Sequence, residues 1–246
     1  MVTTNTLRFF TDAGIEVPAV TAEQMREVDR IASEETGPNL FQMMENAGRN
    51  LALLAIAVLG DEWATAHVTV LAGSGGNGGG GICAARHLAN RGIDVRLCLA
   101  ESDHLEEVPA FQRKIFRSTS GREVAVADLS AEPVDLVVDA LIGYGLRTAP
   151  RSPVLELIQW ANGSGSPILA LDVPSGVDAT TGHGPGDCIQ PHWTMTLALP
   201  KTGLLPQRTG HLFVADIGIP EQTYRRLGLS YVTPFGKGFW VPLTCR

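Results

Sequence analysis

The chain has 246 residues, 44% of them hydrophobic, which is ample apolar material for the core of one large α/β domain. A formal net charge of -7 with no lysine- or arginine-rich block excludes the electrostatic signature of a nucleic-acid binder and leaves room for an anionic small ligand in a locally positive pocket. The cysteines Cys83, Cys98, Cys188 and Cys245 form no CxxC pair and no zinc spacing with histidine, so they read as reduced, mostly buried thiols.

The start, "MVTTNTLRFFTDAGIEVPAV", lacks a basic segment followed by a signal-type apolar core, and no later run approaches the roughly 20 apolar residues of a membrane span. This predicts a soluble cytoplasmic protein with no membrane partner. Residues 1–20 show no sustained period and read as an arm lying on the body or on a partner subunit. From Thr21, with Gln24 three residues later, a capping box opens an amphipathic helix that places Met25, Val28 and Ala32 on one face. Asn39 caps a second helix ending at Gly60, whose stripe of Leu40, Met44, Ala47, Leu51, Leu54 and Val58 predicts burial. Glu45 and Asn46 interrupt that stripe and read as a solvated turn of the helix.

Short strands and helices then alternate. "HVTVLA" leads into "GSGGNGGGG" and a helix "ICAARHLANRG"; "DVRLCLA" precedes an amphipathic segment over residues 104–117. "VDLVVDAL", a short helix over residues 154–161, "PILALDV", "WTMTLAL" and "LFVADIGI" complete the series. Such alternation predicts a mostly parallel sheet with helices on both faces. The expected organisation is one domain over residues 1–246, with an extension over residues 221–246.

In open α/β sheets ligands gather beyond the carboxyl ends of the strands. Here those ends are "GSGGNGGGG", "DALIGYGLRTAP", "DVPSGVDATTG" and "PKTGLLPQRTG". The first has the Gly73, Gly75, Gly78 spacing of GxGxxG but no Walker-type lysine, and reads as a backbone cradle in which glycine permits close approach and positive φ. Asp139 and Asp172 end apolar runs, where an unpaired carboxylate is costly. With Asn77 and Ser175 they suggest hard oxygen ligands for an alkali or alkaline-earth cation, with loop capping as the alternative.

These residues resemble the YjeF N-terminal domain family, which includes the NAD(P)H-hydrate epimerases. The resemblance runs through "VTAEQMREVD", "MMENAGRNLA", the glycine segment, "VVDALIGYGL", "LALDVPSGVDATTG", "LALPKTGLL" and "VADIGIP", over about residues 20–220. It implies a Rossmann-like three-layer αβα sandwich with a mostly parallel central sheet, commonly a homodimer. The implied activity is interconversion of the R and S hydrates of NADH and NADPH (NADHX and NADPHX), with a dehydratase that restores the cofactor; the chain is too short to include that dehydratase, which would be a separate protein.

The resemblance assigns potassium to Asn77, Asp139 and Ser175. It assigns substrate contacts to Gly76, Asn77, Gly78, Gly79 and Gly80, and to Gly143, Tyr144, Gly145, Leu146, Arg147, Thr148 and Ala149, with Arg147 as a cationic contact for phosphate. Asp172 is the expected proton-transferring carboxyl and Lys201 a further substrate-site residue. The family segment Gly-Asn-Asn-Gly-Gly-Asp-Gly is here Gly75-Gly76-Asn77-Gly78-Gly79-Gly80-Gly81, so Gly76 and Gly80 replace an asparagine and an aspartate. Losing one hydrogen bond to a charged group costs about 1.5–3 kcal/mol. Three readings stay open on sequence: an epimerase, the same pocket redirected to another isomerase or hydro-lyase reaction, or a non-catalytic binding or dimerisation module.

Overall fold

The computed structural model describes residues 7–131 and 133–246. Thr21 and Gln24 form the expected capping box at the start of α1 (Ala22–Ile31), which continues into one wider π turn ended by Gly37 at φ 142°. Asn39 and Gln42 form a second box at α2 (Leu40–Leu59), and Gly60 at φ 64° stops it. Next come β3 (His67–Ala72), α3 (Gly76–Ala89), β4 (Asp94–Leu99), α4 (Glu107–Phe116) and β5 (Arg122–Val124). The second half runs β6 (Leu136–Ala140), α5 (Val154–Gly163), β7 (Ile168–Leu171), β8 (Trp193–Leu197), α6 (Pro206–Thr209), β9 (His211–Ala215) and α7 (Glu221–Arg226).

Three further strands lie where no period marked them: β1 (Phe9–Thr11), β2 (Glu16–Val17) and β10 (Trp240–Cys245). Among the described residues the sheet has ten strands in the order β2-β1-β10-β9-β8-β7-β6-β3-β4-β5. Pairing is parallel from β9 to β5 and antiparallel among β9, β10, β1 and β2. The first and last segments thus pair with each other on the body, closed by reciprocal backbone bonds between Arg8 and Arg246 of 3.0 and 2.9 Å.

The period of two sorts strand residues between two cores. Val68, Val70 and Ala72 face the core shared with α1 to α4, as do Leu136 and Val138, whereas Leu71, Cys98 and Val137 face the core under α5. This is the three-layer αβα arrangement. Among the described residues no helix is long and apolar enough to cross a membrane.

Two local expectations need correction. The glycine segment is not a loop ahead of a helix: α3 begins at Gly76, so glycines 76 and 78–81 form its first turns. No glycine from 73 to 81 has positive φ. The requirement is for close packing: a Cβ at Gly78 would stand 1.9 Å from the Gly73 carbonyl oxygen, one at Gly73 2.0 Å from that of Leu141, and one at Gly81 2.3 Å from Ala140 Cβ. Tertiary contact therefore overrides a helix propensity poorer than alanine by about 1 kcal/mol per glycine.

Glu45 and Asn46 are not a solvated turn either. Asn46 Nδ2 donates to the Ile217 carbonyl at 3.1 Å. Glu45 accepts from Arg86 at 2.6 Å and Gln112 at 3.2 Å and lies 2.9 Å from His87 Nε2. Cys83 joins this group, but burial pushes its thiol up to about 12, and Arg86 already neutralises the carboxylate. The cluster therefore reads as an ion-paired knot between α2 and α3 rather than a metal site. All four cysteines are free, and Cys83, Cys98 and Cys188 are buried.

Candidate active site

The chain leaves β3 to one side, towards β4 and β5, and returns through β6 to the other, so β3 and β6 flank the point where the topology reverses. A cavity of about 800 Å³ opens there, beyond the carboxyl ends of the strands. Its floor includes Ser74, Gly75, Gly76 and Asn77 from the start of α3, and Gly143, Tyr144 and Gly145 after β6. Asp172, after β7, completes it, while Arg26, Asp29 and Arg30 of α1 and Met43 and Met44 of α2 form the opposite wall.

The α3 terminus has no side-chain cap on its Gly75 N-cap. Its first backbone N–H groups and the helix dipole are therefore available to an anion. A Cβ at Gly76 would meet nothing within 4 Å, whereas one at Gly143 would stand 3.1 Å from both Asn77 Oδ1 and Asp172 Oδ2. Glycine at 143 lets the β6 loop pass between those two side chains.

Asp172 holds a left-handed backbone at φ 66°, unusual outside glycine, fixed by its N–H bond to the Met195 carbonyl at 2.7 Å. Its Oδ1 accepts from the Lys201 ammonium and, at 3.2 Å, from the Leu197 N–H; its Oδ2 accepts from the Tyr144 N–H at 3.2 Å. Lys201 is fully buried and also donates to the Leu197 carbonyl at 2.9 Å. It sits beneath Asp172 rather than on the cavity surface.

The Tyr144 hydroxyl donates to Asp29 Oδ2, and Arg26 lies over the Tyr144 ring at 6.0 Å. Burial raises the pKa of Asp29, and the Tyr144 bond only partly offsets this. Burial and the neighbouring Asp29 also push the Tyr144 hydroxyl upward. Arg30 is engaged by Glu27, Glu34 and Glu35, but Arg26 has no carboxylate partner among the described residues.

Next to the cavity, Asp139 is wholly buried. Ser175 Oγ donates to it at 2.6 Å, the Ser175 N–H at 2.9 Å and the Leu141 N–H at 3.2 Å. No cationic side chain pairs with it among the described residues, and burial pushes its pKa up to about 6. Asn77 Nδ2 is buried without a partner among the described residues. An amide with no bond on its nitrogen can turn its oxygen that way at little cost. The Asp139 carboxylate, the Ser175 hydroxyl and the Asn77 amide oxygen are hard oxygen donors of the kind an alkali or alkaline-earth cation takes.

The remaining expected residues lie elsewhere. Gly78, Gly79 and Gly80 are buried within α3; a Cβ at Gly80 would face Leu171 Cδ2 at 2.9 Å and Met44 Sδ at 3.8 Å. Leu146, Arg147, Thr148 and Ala149 run away from the cavity, with Arg147 and Thr148 exposed. Arg26 and Asp29 also line the cavity, and no period or spacing in the sequence marks them as site residues. Both fall within the motif "VTAEQMREVD", which was the available signal.

Residues 40–203 match the model of the family described as YjeF-related protein N-terminus. An NAD(P)H-hydrate epimerase of Dehalogenimonas lykanthroporepellens is 51% identical over 239 residues, covering 97% of this chain and 98% of that protein. The bifunctional NAD(P)H-hydrate repair enzyme Nnr of Moorella thermoacetica is 36% identical over 216 residues, which are 82% of this chain and 41% of that longer protein. The crystal structure of yeast ynu0 shares the fold, with a TM-score of 0.79 at 22% identity over 92% of this chain and all of that one. The glycine-built α3 terminus, the Asp139–Ser175 pair and the Asp172 strand end thus stand in a chain that belongs to the YjeF-related protein N-terminus family.

Proposed function

We infer that the chain is an NAD(P)H-hydrate epimerase, an isomerase that interconverts the R and S hydrates of NADH and NADPH in cofactor repair. The observation that carries this reading is one cavity combining an uncapped helix N-terminus, suited to phosphate, with Asp172 held in place by buried Lys201. The dinucleotide's phosphates lie against the first N–H groups of α3, with Arg26 as the available counter-charge. Its hydrated nicotinamide ring lies between Asp172 and Tyr144.

The hydroxyl at C6 departs as the ring nitrogen donates electrons, and water returns on the other face. Asp172 exchanges a proton with that oxygen. Its carboxylate geometry is fixed by the Lys201, Leu197 and Tyr144 donors, so little reorganisation is needed on substrate arrival. Potassium, held by Asn77, Asp139 and Ser175, would supply positive charge that compensates the buried Asp139 and stiffens the loops around the ring.

Residues 1–246 act as one domain, in the cytoplasm, in concert with an NAD(P)HX dehydratase activity that consumes the S hydrate. It works as a homodimer, for which exposed Leu40 and Phe111, with Phe41 edge-on to Phe111 at 5.3 Å, offer an apolar face; sedimentation showing only monomer would remove that part. The central test is chromatographic: purified protein with potassium should accelerate R/S interconversion of NADHX, and Asp172→Asn should abolish the acceleration. A wild-type protein with no acceleration over the spontaneous rate refutes the reading.

A further inference from the structure

Asp172 alone leaves one requirement of this chemistry unmet. Moving a hydroxyl at C6 from one face of the hydrated ring to the other needs a proton donor where it departs and an acceptor where water arrives. One carboxyl packed at one face cannot reach both.

Three other carboxylates line the cavity: Asp29, Glu34 and Glu106. Glu34 is largely exposed and paired with Arg30 at 2.9 Å. The Glu106 carboxylate lies beside Gly75, at the helix terminus. Asp29 is half-buried, carries no ion pair among the described residues, and is tied through Tyr144 to Asp172. The Tyr144 main-chain N–H binds one carboxylate and its side-chain hydroxyl the other, so the two acids stand a tyrosine's length apart. The Tyr144 hydroxyl occupies Asp29 Oδ2 and leaves Oδ1 without a hydrogen bond among the described residues.

We propose that Asp29, with the Tyr144 hydroxyl upon it, is the second acid–base group of the pocket and serves the ring face turned away from Asp172; this rests on the epimerase reading. With Asp29 protonated, its proton passes to the C6 hydroxyl directly or through the Tyr144 hydroxyl. The C6–O bond breaks, the nitrogen lone pair forms a carbon–nitrogen double bond, and water departs. A second water bonds to C6 on the opposite face, that electron pair returns to nitrogen, and the surplus proton goes to Asp172. One water leaves, one enters, and nothing is oxidised or reduced. The proton has changed carboxyls, which readies the site for the reverse direction, and solvent exchange resets it.

The groups facing Asp29 are consistent with this task. Tyr144 is bonded to it, the Lys201 and Asp172 charges act on it in opposite senses, Tyr224 of α7 lies nearby, and Arg26 is over the tyrosine ring. Burial is the largest influence and raises the pKa of Asp29, the direction that favours its proton-bearing form.

The test follows NADHX in oxygen-18 water, with wild type, Asp29→Asn and Tyr144→Phe compared across pH. Asp29→Asn should lower epimerisation by about 100-fold or more while oxygen-18 still enters one epimer, because Asp172 still serves its own face. Tyr144→Phe removes a bond that favours the ionised Asp29, so the alkaline limb of the rate profile, where Asp29 loses the proton it must donate, should move to higher pH. The proposal is overturned if Asp29→Asn epimerises within a few fold of wild type, or if it loses isotope exchange into both epimers. Should Asp29→Asn fail to fold, an unshifted Tyr144→Phe profile overturns it equally. An inactive wild type would instead refute the epimerase reading itself.

Discussion

Lys201 and Asp172 form an ion pair with almost no solvent on either partner, their side chains being 0% and 4% exposed. Such a pair gains little over an apolar contact, but stranding one member is costly. Lys201→Ala should therefore destabilise the fold by about 3–5 kcal/mol, read from the urea midpoint. The double variant Asp172→Asn with Lys201→Met should recover part of that loss, because no charge remains buried. A single-variant loss below about 1 kcal/mol would show that water reaches the pair.

Glycines in the first turns of α3 are not equivalent. Gly78→Ala drives a methyl into backbone, 1.9 Å from the Gly73 oxygen, and should cost at least the 1–3 kcal/mol typical of overpacking. Gly76→Ala enters open space and should be neutral or stabilising by up to about 1 kcal/mol. Thermal denaturation of the two variants separates a packing requirement from a need for flexibility; equal losses would contradict the packing account.

Glu45 sets a stability window in acid. Burial acts to raise its pKa, but bonds from Arg86, His87 and Gln112 outweigh this and bring it down from an ordinary 4.5 to about 2. Because the folded value lies below the unfolded one, the contribution is present above the unfolded value and is lost as pH falls through the folded value. Glu45→Gln should cost about 1 kcal/mol at neutral pH, the scale of a part-exposed pair. The gap to wild type should close as pH drops from 4.5 towards 2, and denaturation curves that stay parallel over that range would count against the assignment.

Among the described residues, Arg26 is a cavity cation with no carboxylate partner. Arg26→Ala should raise the KM for NADHX by roughly ten- to a hundredfold with little change in kcat. Arg147→Ala, at an exposed position off the cavity, should leave both unchanged. A reversed result would return the phosphate contact to the loop after β6.

Much of this site was legible because strand ends announce themselves. An apolar run ending in Asp139 or Asp172 marks both a strand and a carboxylate at its carboxyl edge, and the sheet then brings those edges together. Asp29 and Arg26 were illegible for the opposite reason. They lie on the polar face of α1, and a polar helical face reads as solvent until Tyr144, more than a hundred residues away in sequence, is seen to cover it. The glycine segment misled through composition, since seven glycines in ten residues argue against a helix unless its packing partners are known. β1, β2 and β10 are too short or too irregular for alternation to register, and only their pairing defines them.

Gly48 of α2 meets α3 at nearly backbone contact: a Cβ there would be 2.4 Å from Cys83 Cβ and 2.7 Å from the Gly80 oxygen. Two helices meshed that closely cannot slide past each other without breaking the seam, so the α3 end of the cavity and its methionine wall travel as one block. Opening to admit and release a dinucleotide would then fall to α1 and its π turn. The helix bearing Asp29 would be the moving jaw, and amide exchange should be faster along α1 than along α2 or α3. An order of protection with α1 slowest would place the moving part elsewhere.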